Sequence, residues 1–571
     1  MPATKANTRR SFGRRSRFTK PRGRGSRKCS EAPELTASPA QSSCSLTSSE
    51  PSEDASTSHF VNASLPEEVD DLTTFERKIL LSERSEAERE PIDDSDPSQS
   101  LDGHRFVHVS AVRTLVSALL CPTCLGRGLE LAEDGTGANL QFVIVCSSCG
   151  EIARAPHFAP VGTTRQNELA ARLCVVGRNC GMSFTKLKNF FGGMSAPPPM
   201  HLKTYQNIAA KMHDASMEAA CDAMKEAAKA VRKMQAEDSQ GGVQDDGDDL
   251  LDVCVSYDGT WQKRGHTSHF GVGAVIELET GLVLDFSVQS NYCHGCNLGP
   301  KKDSNEYQAW AKSHEEVCQK NFEGSSNAMQ VQAAGDIFSR SVEQHNMQYV
   351  TVLSDGDSKA FNHVASLGLY DKDMQKEDCV NHVAKRMYAG MDKVKKTKKG
   401  LGGKGKLTNV VMKRLTSFYA TTLKDNAPDV VKMQKGVFAS LFHSYSTDAE
   451  PRHQACPQGE DSWCHFNRHK ALVAAGKPSA PRPHRPAFSR DIAKELVPLY
   501  NRLSDKTLLA RCCRMRTQNA NESYNALVWK RCPKTEFASL RTVETAAAMA
   551  VLEFNLGPQG FERVLEKMGM K

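Results

Sequence analysis

The sequence predicts an α/β fold that is built on a mixed sheet, and the order of its apolar runs supports this prediction. The run 251–257 is typical of a buried strand, and the alternating runs 268–278 and 281–290, separated by a Thr-Gly turn, indicate a hairpin. A helical stretch over 326–346 then precedes a further strand-like run over 349–354. Strand, hairpin, helix and strand follow one another as in a ribonuclease-H-like sheet, in which the first and fourth strands are parallel neighbours.

Acidic residues follow both of the predicted parallel strands. Asp258 comes directly after the first strand and Asp355 directly after the fourth, so we expect their carboxylates to meet where open α/β sheets bind ligands. Glu522 lies in a helix-like stretch and supplies a third carboxylate. Crowded carboxylates resist joint ionisation, whereas two divalent cations would neutralise them, and oxygen ligands favour Mg²⁺ or Mn²⁺ over zinc. We therefore predict that these three acids are catalytic, although each alone is more often a turn residue or a solvated helix face.

Six segments of the chain, in order, resemble the Mutator-like transposase domain. They are DGTWQKRGH (258–266), SDGDSK (354–359), CVNHVAKRM (379–387), GGKGKLT (402–408), CPQGEDSWC (456–464) and TQNANESYN (517–525). The resemblance runs from about Cys121 to about Gly557. It implies a DDE transposase, which is a metal-dependent enzyme that cuts DNA at transposon ends and joins the freed 3′-hydroxyls to a target. The implied cofactors are two Mg²⁺ or Mn²⁺ ions, and the implied partner is DNA, bound by a homo-oligomer.

The resemblance also implies roles for residues near the second acid. Cys379 and His382 match a Cys/Asp-x2-His motif that follows the second acid in this class, where they would support the active site. Their spacing alone would also suit half of a zinc site, and a buried helix face is the ordinary alternative. Asp357 lies two residues beyond Asp355 and is the alternative candidate for the second acid.

Residues 1–100 are predicted to be a disordered tail. Residues 1–28 hold eleven Lys or Arg and no acid, and residues 30–100 are rich in Ser, Glu, Asp and Pro without periodicity. The basic end would target the nucleus or contact phosphates, or it would only keep the chain soluble. The sequence has no run of eighteen apolar residues, and no apolar core follows its basic amino-terminal residues, so we expect neither a membrane span nor a signal peptide. We therefore expect a nuclear protein with reduced cysteines and no membrane partner.

A small zinc-ribbon domain is predicted within residues 101–200. Two Cys-x2-Cys pairs are separated by twenty-one residues, and a strand-like run, 139–145, leads into the second pair. Zn²⁺ accepts four thiolates, so each pair would place two sulfurs on the same metal, whereas a redox motif needs one pair. The predicted zinc ligands are Cys121, Cys124, Cys146 and Cys149. Two short helices around a Gly turn follow over 167–194, and residues 201–250 are predicted to form a long helix and an acidic linker.

Two more groups of cysteine and histidine lie within the predicted catalytic domain, residues 251–571. In an insert at 291–325, four residues have zinc-knuckle spacing. We predict that they bind a structural Zn²⁺, and they are Cys293, Cys296, His314 and Cys318. A third group is equally consistent with a metal site and with polar residues of an insertion, and it comprises His443, His453, Cys456, Cys464 and His465.

A large, mainly helical insertion is predicted over 385–510, and it begins with a basic stretch. Residues 385–414 hold eleven Lys or Arg and one acid, Asp392. The run 395–406 is poor in apolar residues, and we predict a mobile loop that grips DNA phosphates, with a solvated charge run as the ordinary alternative. The predicted DNA contacts are Lys395, Lys396, Lys398, Lys399, Lys404 and Lys406.

The sequence therefore predicts a DNA transposase of the Mutator-like class, with metal-dependent DNA cleavage and strand transfer at transposon ends. The alternative is a catalytically inactive, transposon-derived nuclear DNA-binding protein, which would bind DNA but neither take up Mn²⁺ at the acids nor nick any substrate. A ribonuclease-H-like nuclease without a joining step is a third hypothesis. A strand-transfer assay separates it from a transposase, because the two differ only in their products.

Overall fold

A computed structural model of the chain describes residues 106–156, 167–238, 249–263, 267–356 and 359–570. The disordered tail that is predicted for residues 1–100 lies outside these ranges. Among the described helices, none combines the length and the apolar content that crossing a membrane requires. The structure is a mixed α/β fold with a mixed five-stranded sheet and many helices, as predicted.

The amino-terminal part of the described chain contains a small antiparallel sheet. Its elements are α1 (Val109–Ser117), β1 (Leu129–Asp134), β2 (Gln141–Cys146) and β3 (Gly150–Arg154). The strand order is β1-β2-β3, and both pairs are antiparallel. Its buried apolar residues are few, and they include Val116, Leu129 and two of the predicted zinc ligands. So small a core is typical of a domain that needs a metal or a disulfide for stability.

Three helices follow this sheet, and two of them begin with a side-chain cap. They are α2 (Glu168–Asn179), α3 (Phe184–Gly193) and α4 (Leu202–Asp238). Asn167 accepts a hydrogen bond from the amide of Ala170, and Ser183 accepts one from the amide of Lys186, which satisfies amides that a helix start leaves unpaired. The turn between α2 and α3 contains Gly181 at a positive φ of 70°, as the sequence predicts.

The central sheet consists of five strands and holds the first two predicted acids. The strands are β4 (Leu251–Trp261), β5 (Phe270–Glu277), β6 (Val283–Ser290), β7 (Met347–Ser354) and β8 (Gln375–Asp378). Their order is β6-β5-β4-β7-β8. The pairs β4–β5 and β5–β6 are antiparallel, whereas β4–β7 and β7–β8 are parallel. The first and fourth of these strands are therefore parallel neighbours, as predicted.

Helices connect and cover this sheet. The helices between β6 and β8 are α5 (His294–Leu298), α6 (Tyr307–His314), α7 (Ser326–His345) and α8 (Lys359–Ser366). The long helix α7 packs on one face of the sheet, where Phe338 contacts the rings of Tyr257 and Tyr349 edge to face. Every residue of β5 and β6 is buried, which is expected when both faces of a sheet are covered.

The predicted helical insertion has a core of its own. Its helices are α9 (Val380–Thr397), α10 (Asn409–Asn426), α11 (Val430–Tyr445), α12 (His465–Ala474), α13 (Arg490–Leu503) and α14 (Lys506–Ala510). Five of these helices, α12 excepted, contribute to one apolar cluster that includes Met387, Leu415 and Leu496, each fully buried. The buried Tyr419 hydroxyl donates to the Leu503 carbonyl at 2.7 Å, which joins α10 to the end of α13.

The chain then returns to the sheet through α15 (Asn519–Arg531), α16 (Leu540–Leu556) and α17 (Gly560–Lys567). Helix α16 packs against α4 and against β6, and α15 contacts β4 and β5. Ser256 of β4 contacts α15, and the next residue, Tyr257, contacts α7. Because successive side chains of a strand point to opposite faces of the sheet, α15 lies on the face opposite α7. The third predicted acid, Glu522, is in the first turn of α15.

Candidate active site and metal centres

Asp258 and Asp355 occupy corresponding positions on two neighbouring parallel strands. The pairing of β4 with β7 ends at Ser256 and Leu353, and each acid lies two residues beyond this pair. Adjacent strands are about 4.8 Å apart. The prediction that the first strand ends at residue 257 is wrong, because β4 continues to Trp261 while it is paired with β5. Asp258 thus lies inside a strand, but beyond the part of it that β7 covers.

Helix α15 is held against β4 by asparagine side chains. Ser256 and Asp258 point to the same face of the sheet, since side chains alternate along a strand. The Ser256 hydroxyl donates to the Asn521 side-chain oxygen at 2.5 Å, and the Asn521 amide group donates to the Ser256 carbonyl at 3.3 Å. One helical turn later, the Asn525 Nδ2 donates to the Asp258 Oδ2 at 3.0 Å. These contacts fix the first turn of α15, and Glu522 with it, over the strand that holds Asp258.

The electrostatic environment of Asp258 includes the other two acids. Burial raises the pKa of Asp258 to about 7, with a further contribution from the negative charge of Asp355 and a smaller one from Glu522. The backbone amide of Gly259 and the charge of His382 oppose this shift. A half-buried carboxyl with a raised pKa beside two more carboxylates is a donor set that a divalent cation would stabilise.

Glu522 also faces basic groups of α9. Its side chain is about half exposed, and one carboxylate oxygen lies 3.5 Å from the His382 Nε2 and 3.6 Å from the Lys385 Nζ. The hydrogen bond with Cys379 raises the pKa of His382 to about 8, so the imidazole carries positive charge at neutral pH. Within the described residues, the three acids do not form a group whose ligand oxygens all lie within 4.8 Å of one another.

Cys379 and His382 lie where the second acid, α9 and the segment before α15 meet. Cys379 immediately precedes α9, and its amide donates to the carbonyl of Ser354, the residue before Asp355, at 3.2 Å. Among the described residues, neither Cys379 nor His382 belongs to a group of three or more clustered metal ligands. Their support of the active site stays a prediction. Asp357 lies outside the described residues, so the choice between it and Asp355 also stays a prediction.

Gln518 joins all of these elements, and the sequence analysis did not single it out. This buried side chain donates through Nε2 to the Tyr257 carbonyl at 2.9 Å and accepts through Oε1 from the His382 Nδ1 at 3.1 Å. Its backbone amide donates to the Cys379 sulfur at 3.4 Å. Gln518 and Asn525 lie four residues before and three residues after Glu522, on the same side of the helical segment. The spacing of these two amide side chains around the acid was the sequence signal that could have identified them as site residues.

Both predicted zinc sites bring their four ligands together. In the amino-terminal sheet, the sulfurs of Cys121 and Cys149 are 3.9 Å apart, and those of Cys124 and Cys146 are 3.8 Å apart. A tetrahedral Zn²⁺ with bonds of about 2.3 Å would place thiolates about 3.8 Å apart. All four sulfurs lie within 4.8 Å of one another. The geometry therefore fits a single zinc ion.

The second site lies in the insert between β6 and α7. The His314 Nε2 is 3.3 Å from the Cys293 sulfur and 3.2 Å from the Cys296 sulfur, and the Cys296 sulfur is 3.6 Å from the Cys318 sulfur. The Trp310 ring stacks on the His314 ring, with centroids 4.5 Å apart, and so orients it. Three sulfurs and one imidazole in this arrangement are also a zinc donor set.

The predicted mobile basic loop is partly helical. Helix α9 extends through Thr397, so Lys395 and Lys396 belong to its last turn, and only the part from residue 398 is a loop. Leu401 and Leu407 are buried in the core of the insertion and attach the loop to it. The other lysines of the predicted DNA contacts are exposed, and they are Lys398, Lys399, Lys404 and Lys406. Their contact with DNA stays a prediction.

Comparison with known proteins gives one family. The family model for the Mutator-like transposase matches residues 103–464, which is more than half of the chain. This range includes five of the six segments that carry the resemblance, and it ends before the segment with Glu522. Neither the curated proteins nor the solved structures include a match to the chain. Because the family model covers the amino-terminal sheet, the acids of β4 and β7 and most of the insertion, the chain belongs to the Mutator-like transposase family.

Proposed function

We propose that this protein is a DNA transposase that cleaves DNA at transposon ends and transfers the strands to a target, on a ribonuclease-H-like sheet. The catalytic residues are Asp258, Asp355 and Glu522. The observation that supports this proposal best is the position of Asp258 and Asp355, each two residues beyond the last paired residues of two neighbouring parallel strands, with α15 held over β4 by Asn525. Together with membership of a transposase family, it favours a site for two Mg²⁺ or Mn²⁺ ions.

The residues of the chain would bind and orient the reacting groups. When bound, two divalent ions supply an activated water or 3′-hydroxyl and stabilise the leaving oxygen of the phosphodiester. Asn525 donates to the Oδ2 of Asp258 and so orients the carboxylate. Gln518 fixes the ring of His382 and places its second nitrogen near Glu522. The positive charge of His382 offsets part of the negative charge of the site.

The proposal also includes contacts with DNA and two structural zinc ions. The exposed lysines of the loop after α9 would contact the phosphate backbone, since Lys and Arg gain binding energy by releasing counterions from DNA. The sites at Cys121 and at Cys293 would each hold a structural Zn²⁺ that stabilises a segment with little apolar core. We further propose that the protein acts in the nucleus. We also propose that it forms a homo-oligomer on DNA, because two transposon ends must be paired.

A substitution at the first acid tests the proposed activity. Asp258→Asn should abolish Mn²⁺-dependent cleavage of a duplex that carries the terminal inverted repeat flanking its coding region, and should leave binding of that duplex unchanged. The matched control is Asp252→Asn on the same strand, because Asp252 forms an ion pair with Lys372 and accepts from Gln348 away from the other acids. Full cleavage by Asp258→Asn would refute the assignment. A wild-type protein that binds this DNA but neither cleaves it nor takes up Mn²⁺ would favour the inactive, DNA-binding alternative.

A further inference from the structure

We infer that the helical insertion contains a third zinc site, which attaches the irregular segment 446–464 and the basic segment that follows it to α11. The ligands are His443, His453, Cys456 and Cys464, and their ligand atoms all lie within 4.8 Å of one another. His443 is in the last turn of α11, and Cys464 immediately precedes α12. His453 and Cys456 come from the segment between these helices. His465, which the sequence placed in the same group, is exposed and lies outside the cluster.

The distances between the ligand atoms match the edges of a tetrahedral zinc site. Bonds of about 2.0–2.1 Å to nitrogen and about 2.3 Å to sulfur predict separations of about 3.3 Å between nitrogens and about 3.6 Å between nitrogen and sulfur. The Nδ1 atoms of His443 and His453 are 3.2 Å apart. The Nδ1 of His453 is 3.5 Å from the Cys464 sulfur, and the Nδ1 of His443 is 3.7 Å from the Cys456 sulfur. The Nδ1 of His453 is also 4.0 Å from the Cys456 sulfur. Four of the six edges therefore lie within about 0.4 Å of the separations that a tetrahedral zinc site predicts.

The second nitrogen of His453 is held in a way that favours metal binding by the first. Its Nε2 lies 3.0 Å from the hydroxyl of Ser446, which is fully buried. In the tautomer that donates from Nε2 to this hydroxyl, Nδ1 is the unprotonated nitrogen that a metal requires. The Asn467 side chain also donates to the carbonyls of His453 and Cys456, at 3.1 and 3.2 Å, and so holds the backbone that carries both ligands.

The segment that contains these ligands has little other means of stability. Between the end of α11 and the start of α12, residues 446–464 form no helix or strand. Their apolar cluster contains only the small residues Ala439 and Ala455 beside the two cysteines. His453, Cys456 and Cys464 are nevertheless at most 3% exposed. A long irregular segment whose buried residues are only serine, histidine and cysteine is expected to depend on a metal, since binding of a structural zinc contributes free energy to folding.

The cluster also anchors a basic segment. Residues 465–490 hold six Lys or Arg and no Asp or Glu. His484, within this segment, donates through Nε2 to the His443 carbonyl at 2.9 Å, and its backbone amide donates to the Asp448 carboxylate at 3.0 Å. An ion at His443 would therefore position His484 and the basic residues around it. Loss of the ion should release the chain from residue 446 to about residue 486, because Ala487 donates to the Ser444 carbonyl and Phe488 is buried in the core of the insertion.

The zinc content of the full-length chain tests this inference. We expect Cys464→Ser to bind one zinc ion fewer per chain than the wild type, and the control His465→Asn to bind the wild-type number. The measured quantity is the difference in zinc content between each variant and the wild type, so it does not depend on the catalytic activity or on the other two zinc sites. An equal zinc content in the wild type and in Cys464→Ser would overturn the inference.

Thiol labelling of the wild-type protein tests the same site without a substitution. A zinc chelator should make Cys456 and Cys464 reactive toward an alkylating reagent, whereas the buried Cys174, which belongs to none of the three cysteine and histidine clusters, should stay protected. The exposed Cys221 should react before and after chelation. If Cys456 and Cys464 stay as protected as Cys174 after the chelator has removed all zinc, burial alone protects them and the inference is wrong.

Discussion

Replacement of Asn525 by alanine tests how the active site is held together. Asn525 is half-buried on α15, and its side chain donates to the Asp258 Oδ2 at 3.0 Å. A hydrogen bond to a charged group contributes about 1.5–3 kcal/mol. If this bond orients Asp258 in the transition state, its loss should slow cleavage by about 10- to 150-fold, since about 1.4 kcal/mol corresponds to a factor of ten. The assay is the single-turnover rate of Mn²⁺-dependent cleavage, measured at saturating DNA.

Asn555→Ala provides the matched control for this experiment. Asn555 lies on α16, and its side chain exchanges two hydrogen bonds of 2.9 Å with the backbone of Val283 on β6, away from the acids. Its replacement should lower thermal stability but leave the cleavage rate of the folded protein unchanged. The reasoning is refuted if Asn525→Ala cleaves at the wild-type rate, or if both variants lose activity to the same extent.

Three further predictions concern stability and metal content. Gln518→Ala leaves the buried Tyr257 carbonyl without this donor, which should cost about 1–3 kcal/mol and lower the melting temperature; an unchanged melting temperature would contradict the role of Gln518. Leu407→Ala should cost about 2–5 kcal/mol and expose the loop after α9 to limited proteolysis, whereas Val410→Ala, at a site 77% exposed, should not. Cys296→Ser should remove one zinc ion per chain, as measured by elemental analysis, and an unaltered zinc content would exclude a metal at that site.

The strands of the central sheet differ in how well the sequence predicts them. The hairpin β5–β6 and strand β7 were predictable because their apolar residues alternate or run together, which reflects burial of the strand itself. The end of β4 was not, because Asp258 and Gly259 have the composition of a turn, and only pairing with β5 continues the strand. Strand β8 has the polar sequence Gln-Lys-Glu-Asp over Gln375–Asp378, and its strand conformation depends on its pairing with β7.

The residues of the candidate site also differ in whether the local sequence or only the tertiary structure identifies them. Local patterns predicted the strand or helix to which each acid belongs, but they placed Asp258 after β4, whereas it lies inside this strand. The roles of Gln518 and Asn525 could not, because they depend on how α15 lies across β4. The third cluster of cysteine and histidine is a similar case. Its ligands are spread from His443 to Cys464, and His453-x2-Cys456 is their one short spacing. Only the fold of the segment between α11 and α12 brings this pair to His443 and Cys464.

The most direct measurement of the central claim is anomalous X-ray diffraction from crystals of the full-length protein grown with duplex DNA and Mn²⁺. The proposed function predicts two manganese peaks, roughly 3.5–4 Å apart, in contact with the carboxylates of Asp258, Asp355 and Glu522. Ordered carboxylates with no manganese peak between them, in crystals that contain Mn²⁺ and DNA, would contradict it.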